Sequence, residues 1–236
     1  MKRDEGSKRT KTFVFMAFGD SLTVGYQSPT EEDEMPEPVP YTEFLKSKTE
    51  KMLTGRKERG LMVEFVNRGI NGKLTEDMTN RFSSDVLEFH PDVVTILGGS
   101  NDLGWGIGPS SIARNLAEMY DESLRSEIQP VACTVPSVLG FDEAIQPRLQ
   151  LNQLIRAYSG ALGIGCVDLF SATSDSAGRL REEYSNDGLH LSPKGYEAMA
   201  EAIFTEALAG MLLMRLRGQE ASLKGAAKPA RQTSSQ

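Results

Sequence analysis

The chain has 236 residues, 39% of them apolar and 25% charged, which suits a soluble globular protein able to bury one substantial core. Its net charge of -7 argues against a nucleic-acid binder, which needs a basic face, and mildly disfavours strongly anionic surfaces. No apolar stretch approaches the roughly 18 residues of a membrane span, so stable membrane insertion is not expected.

In chain order, residues 1–11 are charged and read as a mobile arm. Their basic residues followed by the apolar run Phe13 to Phe18 superficially suggest a secretory leader. The run is too short for one, no small-residue cleavage site follows it, and it leads directly into Gly19-Asp20-Ser21. A cytoplasmic location is therefore expected. Five strands are predicted, at Thr12 to Phe18, Leu61 to Asn67, Asp92 to Gly98, Gln129 to Pro136 and Ile164 to Phe170. Several are apolar almost throughout, as parallel strands covered on both faces must be.

Helices are predicted between them, at Tyr41 to Thr54, Thr75 to Phe89, Ser110 to Glu127 and Ala144 to Leu162. A last helix starts at Ser192-Pro193, an N-cap followed by proline at the first helical position. Its residues Tyr196, Met199, Ala200, Ile203, Phe204, Ala207 and Leu208 recur at helical spacing and predict a sheet-facing stripe. This alternation implies an α/β protein, a three-layer α/β/α sandwich around a five-stranded parallel sheet, as one domain over residues 12–216.

Residues 29–40 hold five acids and four prolines in twelve positions and read as an extended surface loop. The segment 217–236 is polar and rich in Ala, Ser and Lys, and reads as a disordered basic tail. Cys133 and Cys166 each fall inside an apolar run and read as buried, reduced thiols; the spacing of a metal site is absent.

Ligands of open α/β sheets collect at the carboxyl ends of the strands. Those ends carry Gly19-Asp20-Ser21, then Asn67 to Gly72, then Gly98 to Asp102, and after the fifth strand Asp187-Gly188-Leu189-His190. A serine hydroxyl is a poor nucleophile unless a base takes its proton. Only two histidines are available. His90 precedes the third strand, at the opposite edge, and reads as structural. His190 is at the correct edge, and Asp187 is placed to hold one ring nitrogen and turn the other toward Ser21. The backbone amides of Ser21 and Gly72 and the side-chain amide of Asn101 are candidate donors to an oxyanion; a turn glycine and an Asx-turn or cap explain Gly72 and Asn101 equally well.

These residues resemble the SGNH hydrolases, also called the GDSL esterase/lipase family. The four blocks occur in order: GDSLTVG around Ser21, NRGING ending in Gly72, GSND containing Asn101, and DGLH containing Asp187 and His190. The resemblance spans residues 13 to about 208. It implies a flavodoxin-like fold with a shallow, open site and no metal or cofactor. It assigns Ser21 as nucleophile and oxyanion donor, Gly72 and Asn101 as further donors, and Asp187 and His190 as the remaining triad. For Asp20 it implies a structural role in the nearby loops. The G-x-S-x-G elbow of α/β-hydrolases is absent, and no G-x-G-x-x-G or P-loop marks a nucleotide site.

Two features depart from the plain pattern. The acidic loop 29–40 directly follows GDSLTVG and is placed to form a lid or rim. Trp105 and Ile107, just after GSND, are candidates for an apolar wall against an acyl group, or for ordinary packing. The expected partner is a small-molecule ester, attacked through an acyl-enzyme: a short-to-medium acyl ester or a lysophospholipid first, an acetylated carbohydrate second. An acyltransferase and a non-catalytic binding module are the remaining alternatives. No oligomeric state follows from the sequence.

Overall fold

Five all-parallel strands form one sheet: β1 (Lys11–Gly19), β2 (Leu61–Gly69), β3 (Val93–Leu97), β4 (Gln129–Cys133) and β5 (Gly165–Val167), ordered β2-β1-β3-β4-β5. The computed structural model describes residues 11–31, 33–54, 61–185 and 187–226. Of the expected amino-terminal arm, residues 1–10 lie outside the described residues, and Lys11 is already the first residue of β1.

Period-two alternation along β1 divides the interior. Phe13, Phe15 and Ala17 enter one core cluster, whereas Met16 and Phe18 enter the other. The first cluster is covered by α2 (Tyr41–Thr54) and α8 (Pro193–Ile203). The second is covered by α3 (Thr75–Phe82), α5 (Pro109–Arg125) and α6 (Ile145–Leu162). Every residue of β3 is buried, as a central parallel strand with helices on both faces requires. The α/β/α sandwich read from the sequence is thus the observed fold. Its strand order is the flavodoxin-like one, with the topological switch between β1 and β3.

The last helix obeys its predicted stripe. Ser192 caps it through Gly195 N–H at 3.3 Å; Tyr196, Met199, Ala200, Ile203, Ala207 and Leu208 are all buried against the sheet, and Phe204 of the same stripe is only partly buried. A π turn at Phe204–Leu208 then leads into α9 (Ala209–Ala226). Here the structure corrects the expected tail: helix continues ten residues past Leu216, and only residues 227–236 lie outside the described residues. A second correction concerns residues 164–170, expected as strand throughout. β5 takes three of them, and Asp168 then caps a short helix, α7 (Leu169–Thr173), accepting from Ser171 N–H at 3.2 Å. Cys133 is buried and Cys166 partly buried, both as free thiols.

One side chain ties the functional edge of the sheet together. Arg81 of α3 donates to the carbonyl of Gly19 at 2.8 Å and of Arg68 at 3.0 Å, joining the carboxyl ends of β1 and β2. Its guanidinium lies 4.1 Å from the centroid of the Phe18 ring, whose edge meets Phe82. Among the described residues no helix is long and apolar enough to cross a membrane.

Candidate active site

Ser21 emerges where β1 turns into a one-turn helix, α1 (Ser21–Val24). Asp20 makes that turn: its Oδ1 accepts from Leu22 N–H at 3.0 Å, and its carbonyl accepts from Thr23 and Val24. The nucleophile candidate is therefore fixed by the backbone at the end of a central strand, with only 6% of its surface exposed. The structural role expected for Asp20 is the one observed, but its environment is unusual. Complete burial raises its carboxyl toward about 7; the Leu22 N–H opposes that rise, and nearby Asp102 adds to it. Its Oδ2 is buried with no hydrogen-bond partner.

The loop 187–190 reaches Ser21 from the other side of the chain. Ser21 Oγ lies 3.1 Å from His190 Nε2, and His190 Nδ1 lies 2.7 Å from Asp187 Oδ2. With Nδ1–H donating to the carboxylate, Nε2 is left as an acceptor facing the serine hydroxyl. The other carboxylate oxygen, Oδ1, accepts from the backbone N–H of Leu189 at 2.8 Å and of His190 at 2.7 Å. Partial burial pushes the Asp187 carboxyl upward, but Ser28, His190 and these two amides outweigh it and hold it down at about 2. The turn requires glycine at 188: φ is 84°, and a Cβ there would come within 2.3 Å of the Leu139 carbonyl. Ser185 completes the loop, accepting from Gly188 N–H and donating to the His190 carbonyl.

Three consecutive residues not singled out from the sequence brace this pair. The Tyr26 ring packs on the His190 imidazole, with centroids 4.5 Å apart. Buried Gln27 donates its amide to the Leu191 carbonyl at 2.9 Å, and Ser28 Oγ donates to Asp187 Oδ2. The segment that carries Ser21 thus also clamps His190 and Asp187. Only tertiary contact reveals this; the nearest sequence signal is that residues 26–28 directly follow GDSLTVG. Beyond Ser28 the acidic loop is exposed and irregular, held by Val39 N–H to the Gly25 carbonyl at 2.7 Å; Glu32 lies outside the described residues.

The candidate oxyanion donors sit on neighbouring loops. Gly72 closes the turn after β2 with φ of 72° in open space, leaving the backbone uncovered there. Asn101 belongs to α4 (Ser100–Gly104), at the end of β3, and its Nδ2 donates to the Lys73 carbonyl at 3.0 Å. One N–H of the amide is thereby spent on the residue after Gly72, and the other remains for a ligand. Asp102 locks the same loops together, accepting from the Thr75 N–H and from its hydroxyl at 2.6 Å. The Ile70 N–H bonds the Gly19 carbonyl at 3.1 Å, which brings the 70–72 turn alongside Ser21.

Trp105 caps α4 one turn beyond Asn101, with 79% of its surface exposed. Ile107 is half-buried and packs against the core cluster beneath α5. His90 is exposed at the opposite edge, between α3 and the start of β3.

The profile of the GDSL-like lipase/acylhydrolase family matches residues 17–198. A relative from Bacillus subtilis, the uncharacterized lipoprotein YqeF, is 27% identical over 222 residues, covering 80% of this chain and 86% of its own. The cytoplasmic placement expected from the sequence finds no support in that relative. Among solved structures, the lipase/acylhydrolase from Enterococcus faecalis is 25% identical, with 93% of this chain and 99% of that one covered and a TM-score of 0.64. An acetyl xylan esterase from Geobacillus stearothermophilus shares the fold at 18% identity and a TM-score of 0.68, over 82% of this chain and 94% of that one.

Proposed function

Because the chain belongs to the GDSL-like lipase/acylhydrolase family and is therefore a hydrolase, we propose that Ser21 is its nucleophile, His190 its general base and Asp187 the acid that orients the base. The observation that carries this reading is the unbroken chain Ser21 Oγ to His190 Nε2 and His190 Nδ1 to Asp187. As the hydroxyl attacks an ester carbonyl, its proton passes to Nε2, and Asp187 stabilises the imidazolium that forms. The carbonyl oxygen becomes an oxyanion held by the N–H groups of Ser21 and Gly72 and by the free N–H of Asn101. Collapse of this intermediate breaks the bond to the alcohol, which leaves with the proton from His190. Water activated by the same imidazole then releases the acid and restores Ser21.

For the substrate we propose a short-to-medium acyl ester, including a lysophospholipid-like one. Support comes from the shallow setting of the donors: Gly72 is exposed, and Asn101 is only half-buried. The exposed Trp105 indole beyond Asn101 favours a second reading, removal of acetyl groups from carbohydrate, since an indole stacks on the apolar face of a sugar.

A p-nitrophenyl ester series from acetate to octanoate, set beside an acetylated xylo-oligosaccharide, separates the two. We expect the simple esters to be turned over and Ser21→Ala to lower kcat by at least about a thousandfold. A protein inert to all esters and unlabelled by a fluorophosphonate would refute the nucleophile assignment.

A further inference from the structure

The functional edge holds a buried charge that the proposed chemistry leaves unused. Arg148 stands in the first turn of α6 with 4% of its surface exposed, in line with the core residues Leu151 and Ile155 of the same helix face. Its Nη1 donates to the Ala144 carbonyl at 3.1 Å, its Nη2 bonds Ser100 Oγ at 3.2 Å, and its Nε is buried without a partner. Among the described residues no carboxylate pairs with it. Burial alone pulls the guanidinium down to about 10. The first turn of a helix is also the wrong end of its dipole for a cation. A desolvated, unpaired charge is costly, and an apolar side chain of similar length would fill the same space. The two hydrogen bonds to Ala144 and Ser100 offset only part of that cost.

The position of the charge suggests what accounts for the rest. Ser100 opens α4 and immediately precedes Asn101, the proposed oxyanion donor. On its other side, the first turn of α6 packs Ile145 in one cluster with Val138, Phe170 and Leu189, the last of these in the loop between Asp187 and His190. Arg148 is therefore joined to the donor block through Ser100, and the turn that carries it packs through Ile145 in one cluster with Leu189 of the base loop.

We propose that Arg148 is a positioning residue that acts through Ser100, orienting the Asn101 turn and supplying the counter-charge for the oxyanion of the tetrahedral intermediate. The inference rests on Ser21 being the nucleophile. Arg148 touches no reacting atom; its charge is pre-placed and shielded from water, so its field reaches the intermediate with little screening. The neutral ground-state ester feels that field weakly, so the effect belongs to kcat rather than KM.

Steady-state kinetics of Arg148→Met and Arg148→Lys on p-nitrophenyl butyrate test this, with thermal unfolding measured alongside. Arg148→Met should lower kcat by about ten- to a hundredfold with KM within about twofold, while its Tm holds or rises, and Arg148→Lys should recover most of the rate. Phenylboronic acid, which forms an anionic tetrahedral adduct with serine, should bind the methionine variant more weakly by a similar factor. Unchanged kcat in Arg148→Met overturns the proposal. So does equal loss in both variants with a fall in Tm, which is a packing role. A rise in KM confined to an ester bearing a free carboxylate also overturns it, in favour of direct recognition of substrate charge. A wild type inert to esters removes the nucleophile reading and this one together, whereas an active wild type with an unaffected methionine variant removes only this one.

Discussion

Replacing Asp20 with asparagine isolates one buried carboxyl and turns its environment into a measurable slope. The folded state holds this group at about 7 instead of 3.8, a difference of roughly three units. At 1.36 kcal/mol per unit this corresponds to about 4 kcal/mol. The sign follows from the direction. A carboxyl raised in the fold contributes its full stability below about pH 4, where both states are protonated, and that stability is lost as pH rises through about 7. Asparagine keeps the oxygen that caps Leu22 and does not titrate. The difference in unfolding free energy, wild type minus Asp20→Asn, should therefore fall by about 4 kcal/mol between pH 3.5 and 8. Titrations of groups that do not interact with Asp20 cancel in that difference. Urea unfolding followed by far-UV circular dichroism suits the measurement, with reductant present because Cys133 and Cys166 are free thiols. A difference flat to within about 1 kcal/mol, or one that rises with pH, would show that the Asp20 pocket is wetter or better paired than its burial indicates.

Two further expectations bear on the chemistry. Asn101→Ala removes one proposed oxyanion donor and should reduce kcat by about a hundred- to a thousandfold, with a much smaller effect on KM; equal loss in both parameters would place Asn101 in ground-state binding instead. In the pH profile of kcat/KM, Asp187 lies at about 2, so its carboxylate stays ionised across the working range and is neutralised only as pH falls through that value. An acid limb must then report a group other than Asp187, and a limb centred below about pH 4 would refute the reading of Asp187 as an ionised partner throughout the working range.

The parts of this protein legible in its sequence are those set by local rules. Period-two alternation in β1 sorts its side chains to two faces, and the Ser192-Pro193 signal and the stripe that follows it fix α8 without tertiary information. The candidate positions Ser21, Gly72 and Asn101 are legible because each falls in the loop after a strand, and parallel strands send those loops to the same edge, whereas Asp187 and His190 come only after α7. What escapes is short or long-range. α4 and α7 have five residues each, too few for a helical period to register, so the apolar run into Phe170 reads as strand until Asp168 is seen to cap. The bracing of His190 and Asp187 by Tyr26 and Ser28 joins positions some 160 residues apart, and no spacing rule encodes it. The unpaired state of Arg148 is likewise invisible, since an arginine on an amphipathic helix ordinarily reads as a solvated face.

The Tyr26 to Ser28 clamp separates two properties that usually fail together. It belongs to an irregular stretch that runs on into an exposed loop, whereas β3 at the centre of the sheet is buried at every residue. Stability is not uniform across a fold, and this irregular segment, with Gln27 buried but Tyr26 and Ser28 only half-buried, opens at a lower free energy than the sheet. Once it swings away, the imidazole loses its ring neighbour and the carboxylate its hydroxyl donor, although every strand remains in register. Gentle warming or dilute denaturant would thus silence turnover in a molecule that still looks native by its secondary structure, and cooling would restore it without any refolding of the core.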